Sequence, residues 1–209
     1  HAIRNGVSLH DFIQNLPAVP FVRPSIRSFV TQLATEERKT YRSQIRTVLT
    51  SDVAFHIRRL VAECFAKQPP HEGDWPLIRD LRKSNSEIFQ VIYHRATAVE
   101  WHNFWLTHLA PIIKAEQNIN AMTYHVQLIA RWQNESPSSV FSFWHDALET
   151  QWLDTVNIAN MISMHISNIT SHTAHLAAPL IIKLLELPQE EHYFLGKTIS
   201  RCIKAGALE

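Results

Sequence analysis

The chain has 209 residues, with 4 glycines, 10 prolines, 45% hydrophobic and 19% charged residues, and a formal net charge of +1. Glycine normally makes up about 7% of a protein. Its scarcity here excludes a glycine-rich phosphate loop of the dinucleotide type, frequent tight hairpins and linker-like stretches, and the balanced charge leaves no global field pulling toward nucleic acid or a membrane.

In chain order the apolar spacing is helical nearly throughout. Ser8 caps a short helix carrying Leu9, Phe12 and Ile13, and Pro17 and Pro20 break the chain after it. Pro24 suits the first turn of a helix whose inner face is Ile26, Phe29, Val30 and Leu33. Thr35-Glu36-Glu37-Arg38 is a capping pattern before a helix with Tyr41, Ile45, Val48 and Leu49 inward. Ser51 or Asp52 caps the next, with Phe55, Ile57, Leu60, Val61, Cys64 and Phe65 inside. After the Pro69-Pro70 loop, Asp74 caps a short helix through Leu77, Ile78 and Leu81, and Ser86 caps 88–95. Helices follow over 99–109, ended or kinked by Pro111, and over 119–132. Ser136-Pro137 opens a helix with Val140, Phe141, Trp144 and Leu148. The last three helices span 155–169, 174–187 (begun or interrupted by Pro179) and 190–205.

About twelve helices with connections of a few residues make neighbours antiparallel. Several are apolar on two sides, as helices held between neighbours in a stacked array are. The expected fold is all-α, an irregular α-solenoid of HEAT/armadillo-like antiparallel helix pairs, forming one helical-repeat domain over 1–209. A compact helical bundle is the alternative.

Catalytic motifs are sparse. Gly196-Lys197-Thr198 imitates the end of a phosphate-binding loop, but position 191, where that loop needs glycine, is Glu. It reads as a lysine on a terminal helix. His165, His172 and His175 share a face only if 169–171 does not interrupt the helix, and His102 and His108 lie on different faces. Neither group has zinc-ligand spacing, so no metal is expected. His145 and Glu149, four apart, read as a surface pair. No nucleophile elbow is present, and neither an enzyme nor a cofactor is expected. Cys64 and Cys202 sit at helical core positions and read as reduced buried thiols of a cytoplasmic protein. The apolar runs are too short to span a bilayer.

The arginines are the site-like feature. Residues 1–100 hold 14 Lys+Arg and 10 Asp+Glu, a net +4; residues 101–209 hold 6 and 9, a net −3. Arg38, Arg42 and Arg46 repeat every fourth residue along one helix, with Arg23, Arg27, Arg58 and Arg59 on its neighbours. In a solenoid these seven line up as a candidate basic ridge for phosphates or an acidic partner. The competing reading is a solvated face with Glu36, Glu37 and Asp52 as local partners.

The order Val7-Ser8-Leu9-His10-Asp11-Phe12-Ile13, Pro20-Phe21-Val22-Arg23-Pro24-Ser25-Ile26-Arg27, Val53-Ala54-Phe55-His56-Ile57-Arg58-Arg59-Leu60-Val61 and Asp74-Trp75-Pro76-Leu77-Ile78 resembles a known arrangement. It is similar to the helical region that follows the ATPase module of bacterial STAND/NACHT-like NTPases. The likeness covers about residues 7–81. It implies a non-enzymatic helical scaffold, sensor or regulatory region of a larger intracellular NTPase. Its partners would be another protein or the upstream ATPase module of the same chain. A start without Met fits a piece of a longer chain. A nucleic-acid-binding repeat using the arginine ridge, and a helical enzyme with a histidine-lined pocket, are the alternatives.

Overall fold

The computed structural model describes residues 6–16, 22–36, 38–150, 155–166, 169–187 and 195–208, without the side chains of 22, 35, 36, 38, 39, 155 and 171. Among these residues every regular element is helical and no strand occurs. The chain is all-α. The contacts group into two compact units, His1–Trp101 and His102–Glu209.

The first unit holds α1 (Leu9–Gln14), α2 (Val22–Glu36), α3 (Arg38–Thr50), α4 (Phe55–Ala66), a 3-10 turn (Glu72–Asp74), α5 (Trp75–Ser84) and α6 (Ser86–Arg95). Ser8 caps α1 as expected, its hydroxyl accepting the Asp11 N–H. The Leu9 N–H, which has no partner within its own helix, donates to Gln44 Oε1 of α3 at 2.6 Å. The inner faces read from spacing are buried on α2 (Ile26, Phe29, Val30, Leu33) and on α3 (Tyr41, Ile45, Val48, Leu49).

Most helices pack on a chain neighbour, on the next but one, or on both. The pairs α1–α3, α2–α4 and α4–α6 join alternate helices, and α2–α3, α3–α4 and α5–α6 join neighbours. Trp101, fully buried, closes this core: its ring meets Phe65 edge-on at 5.9 Å and its Nε1 donates to the Gln68 carbonyl at 2.8 Å.

Several caps differ from the sequence reading. Ala54, not Ser51 or Asp52, is the N-cap of α4; Ser51 instead donates to the Val48 carbonyl behind it. Asn85 rather than Ser86 caps α6, accepting the Ile88 N–H, because an amide oxygen one residue earlier reaches the free donors. Asp74 occupies the N-cap of α5 but makes no capping bond to it; its carboxylate turns back to the His71 N–H. The Thr35-Glu36-Glu37-Arg38 cap falls outside the described side chains.

The second unit continues through α7 (Glu100–Phe104), whose first residues lie in the first unit, a π-helical turn (Trp105–Leu109) and α8 (Ala110–Glu116), with no break between them. Pro111 therefore neither ends the helix nor stops the chain. It has no N–H for the Thr107 carbonyl, and just before it the helix widens, with the Ala110 N–H bonding five residues back to Trp105. Then come α9 (Ile119–Ile129), α10 (Pro137–Leu148), α11 (Thr155–Ile166), α12 (Ala174–Glu186) and α13 (Leu195–Lys204).

Pro137 takes a first-turn position on α10, while Ser136 at the cap makes no side-chain capping bond. Pro179 sits inside α12, which starts five residues before it. Packing again joins alternate helices, α9–α11, α10–α12 and α11–α13, as well as neighbours. Trp144 is buried and donates to the Val126 carbonyl at 3.1 Å.

Candidate anion-binding cleft

The seven arginines are sorted by what faces them. Arg42 and Arg46 point one turn apart along α3 toward the segment that opens and carries α5. Arg42 Nε donates to Asp74 Oδ1 at 2.7 Å, and Arg46 Nη2 lies 3.3 Å from Asp80 Oδ2. These two pairs tie α3 to α5 and to the 3-10 turn that precedes it. Asp74 is 4% exposed, and its second oxygen accepts the His71 N–H. Burial raises its carboxyl above the usual range despite the bonds from His71 and Arg42. Its own burial, and after it the Asp74 charge, push the Tyr41 hydroxyl far up.

Of the local partners weighed from sequence, Glu37 and the Glu36 side chain lie outside the described set. The carboxylates that pair with Arg42 and Arg46 lie 32 and 34 residues away. Arg58 shares a face of α4 with Val61, Ala62 and Phe65 at the i, i+3, i+4, i+7 spacing, and its Nε is buried without a hydrogen-bond acceptor. The side chain of Arg38 lies outside the described set.

Arg23, Arg27 and Arg59 meet elsewhere. They line a cleft of about 240 Å³ between α2 and α4 with Phe55, His56, Leu60 and Glu63. Arg23 and Arg27 are one helical turn apart on α2; Phe55, His56, Arg59 and Glu63 form one stripe on α4. All three guanidinium side chains are exposed. Arg59 Nε reaches Glu63 Oε1 at 3.3 Å along its own helix, whereas no carboxylate among the described residues pairs with Arg23 or Arg27.

Three arginines against one glutamate leave the cleft two positive charges in excess. The Glu63 pair is surface-exposed, of a kind worth about 0.3–0.5 kcal/mol, so an incoming anion competes with it readily. Guanidinium forks match carboxylate and phosphate bidentately. Arg27 also bears on the Cys64 thiol, pulling its pKa down while burial pushes it up more strongly.

Helical spacing places Phe55 in the core, but it is 41% exposed. It is the first residue of α4 and has no preceding turn to cover it. Among the described tryptophans, Trp101, Trp105 and Trp144 are fully buried, Trp132 nearly so, and Trp75 is half-buried.

The remaining candidates resolve individually. Lys197 and Gly196 face solvent on α13, while Thr198 turns inward and donates to the Ile166 carbonyl at 3.2 Å. His165 stacks on Trp144 with centroids 6.2 Å apart, and burial lowers its pKa. His172 lies in a separate 3-10 turn (Ser171–Thr173) and His175 on α12. His102 packs near Trp132 and His108 against Phe104.

Glu149 does not form the surface pair read with His145; its carboxylate lies 4.0 Å from Lys183 Nζ. Both cysteines are free. Among the described residues no three His, Cys, Asp or Glu side chains converge as a metal set, and no helix is long and apolar enough to cross a membrane. No family model matches this sequence, and no curated protein or solved structure matches it either.

Proposed function

We propose that the chain is a non-enzymatic helical scaffold, a sensor or regulatory interaction region of a larger intracellular NTPase, whose first unit engages an anionic group of a protein partner. The observation that carries this reading is the cleft of Arg23, Arg27 and Arg59, with two guanidinium groups unengaged by carboxylates among the described residues. The packing of alternate helices, α1–α3, α2–α4 and α4–α6 in the first unit and α9–α11, α10–α12 and α11–α13 in the second, supports the finer fold reading, an irregular α-solenoid of HEAT/armadillo-like pairs. The anionic group belongs to another protein or to the ATPase module of the same chain.

Arginine side-chain Nε–H resonances test it. Inorganic phosphate and a glutamate-rich peptide are each expected to move the Arg23, Arg27 and Arg59 signals beyond what potassium chloride of equal ionic strength does. Arg23→Ala/Arg27→Ala should abolish the effect. Equal response to chloride overturns the anion site. ATP hydrolysis that disappears in Lys197→Ala would overturn the non-enzymatic reading.

The exposed Phe55 beside these arginines favours a second reading, a nucleic-acid-binding repeat that stacks a base of a single strand on this ring. It predicts a logarithmic salt slope of about −2 for three phosphate contacts, and weaker binding in Phe55→Ala. Absence of binding at low salt removes it.

A further inference from the structure

The second unit contains a larger cavity, about 370 Å³, that the arginine cleft does not explain. Its walls are two helical stripes. Ser139, Ser142, Phe143, Asp146 and Ala147 lie on one face of α10, with Thr150 beyond its end. Leu106, Ala110 and Lys114 line the opposite wall at successive four-residue steps. Met122 of α9 contributes to the lining and is itself 2% exposed.

The opposite wall begins in the π-helical turn, since Leu106 belongs to Trp105–Leu109. Such a turn adds a residue to the helix and redirects the side chains on either side, and it occurs frequently at functional sites. Cavity and π-turn are thus independent observations at one place.

The lining specifies the ligand's chemistry. Most of it is hydrocarbon: Leu106, Ala110, Pro111, Met122, Phe143 and Ala147. Two opposite charges stand on it, the Lys114 ammonium and the Asp146 carboxylate, and neither is ion-paired among the described residues. A simple fatty acid satisfies Lys114 but meets Asp146 as a like charge. A lipophilic amine has the reverse problem. A molecule carrying both a carboxylate and an ammonium satisfies both, and the serine hydroxyls can accept from its ammonium or donate to its carboxylate. The volume falls in the range of small-molecule pockets, about 300–1,000 Å³.

We propose that this cavity binds a small zwitterion with a bulky apolar body, of which an apolar α-amino acid is the simplest member. Its side chain lies against Met122 and Phe143, its carboxylate faces Lys114 and its ammonium faces Asp146. The proposal is independent of the arginine cleft, because every residue it uses lies in the second unit.

Backbone amide spectra of the whole chain test it. L-phenylalanine and L-leucine are each added, with 3-phenylpropionate (no ammonium) and phenethylamine (no carboxylate) as charge-trimmed controls. The expected result is saturable movement of amides within 106–150 by the amino acids, with both controls at least tenfold weaker. Lys114→Gln should weaken L-phenylalanine at least tenfold while phenethylamine, relieved of a like charge, binds no more weakly than before; Asp146→Asn should weaken L-phenylalanine likewise while 3-phenylpropionate binds no more weakly than before. Both residues are exposed, so neither variant threatens the fold. No response to either amino acid up to about 10 mM, a control binding as tightly as L-phenylalanine, or sensitivity to only one of the two variants overturns the proposal.

Discussion

The Arg42–Asp74 pair gives the sharpest test of how the first unit is held together. Two unit charges 2.7 Å apart attract by about 6 kcal/mol at an effective dielectric of about 20. Withdrawing each ion from water costs several kcal/mol, so the pair comes out near balance while each member depends on the other. Asp74 is 4% exposed and Arg42 22%, so the two partners are not equivalent.

Arg42→Met leaves an ionised carboxylate buried with only the His71 N–H, and should cost about 3 kcal/mol. Asp74→Asn keeps an oxygen for that N–H, and the freed guanidinium can turn to water; about 1 kcal/mol is expected. The double variant should cost little more than Asp74→Asn alone, so the coupling energy is about 3 kcal/mol. Urea unfolding, with hydrogen exchange of 38–50 and 75–84 as the local reading, measures all four corners.

The pH dependence has a definite sign. Asp74's folded pKa is raised above 3.8, so the native state holds this proton more tightly than the unfolded chain does. Its contribution is therefore greatest at acid pH and is lost as pH rises through the raised value. Arg42→Met raises that value further, so its penalty should shrink as pH falls into the carboxyl range. An Arg42→Met cost below about 0.5 kcal/mol, or no rescue by Asp74→Asn, would refute the reasoning.

Other predictions concern single groups. His125 is fully buried and burial lowers its pKa from 6.5 to about 3. The second unit should lose stability as pH falls from about 6.5 toward 3, with a slope of up to about 1.4 kcal/mol per pH unit; His125→Leu should flatten that slope in denaturant melts at several pH values. Gln117 closes α8 in the left-handed region at φ 51°, where glycine carries no penalty, so Gln117→Gly should stabilise by about 1 kcal/mol. Gly206, at φ 68°, ends α13 while the Ala207 N–H bonds back to Cys202; Gly206→Ala should cost about 1 kcal/mol by the same measurement. Thr198→Val should cost about 1 kcal/mol through loss of the bond to Ile166, with faster exchange in α13.

Most helices and their buried faces are legible because helical spacing is a local property. Tyr41, Ile45, Val48 and Leu49 declare one face of α3 whatever packs against it. Caps were less legible. Ser51 and Asn85 show why: several neighbouring side chains are able to cap, and the path of the chain entering the helix selects one. Phe55 is exposed while the Nε of half-buried Arg58 is covered, since position on α4 rather than residue type decides exposure.

By itself the sequence determined an all-helical chain, the inward stripe of most helices and the gathering of arginine in the first half. Those are consequences of residue type and of spacing within about one or two turns. Only the tertiary structure decided which arginines are spoken for. Asp74 and Asp80 reach Arg42 and Arg46 across more than 30 residues, while Arg23, Arg27 and Arg59 converge with no such partner for the first two. It also opened the cavity bordered by the π-turn. Pairing and enclosure depend on which helices come side by side, and the spacing of residues along any one helix carries no record of that.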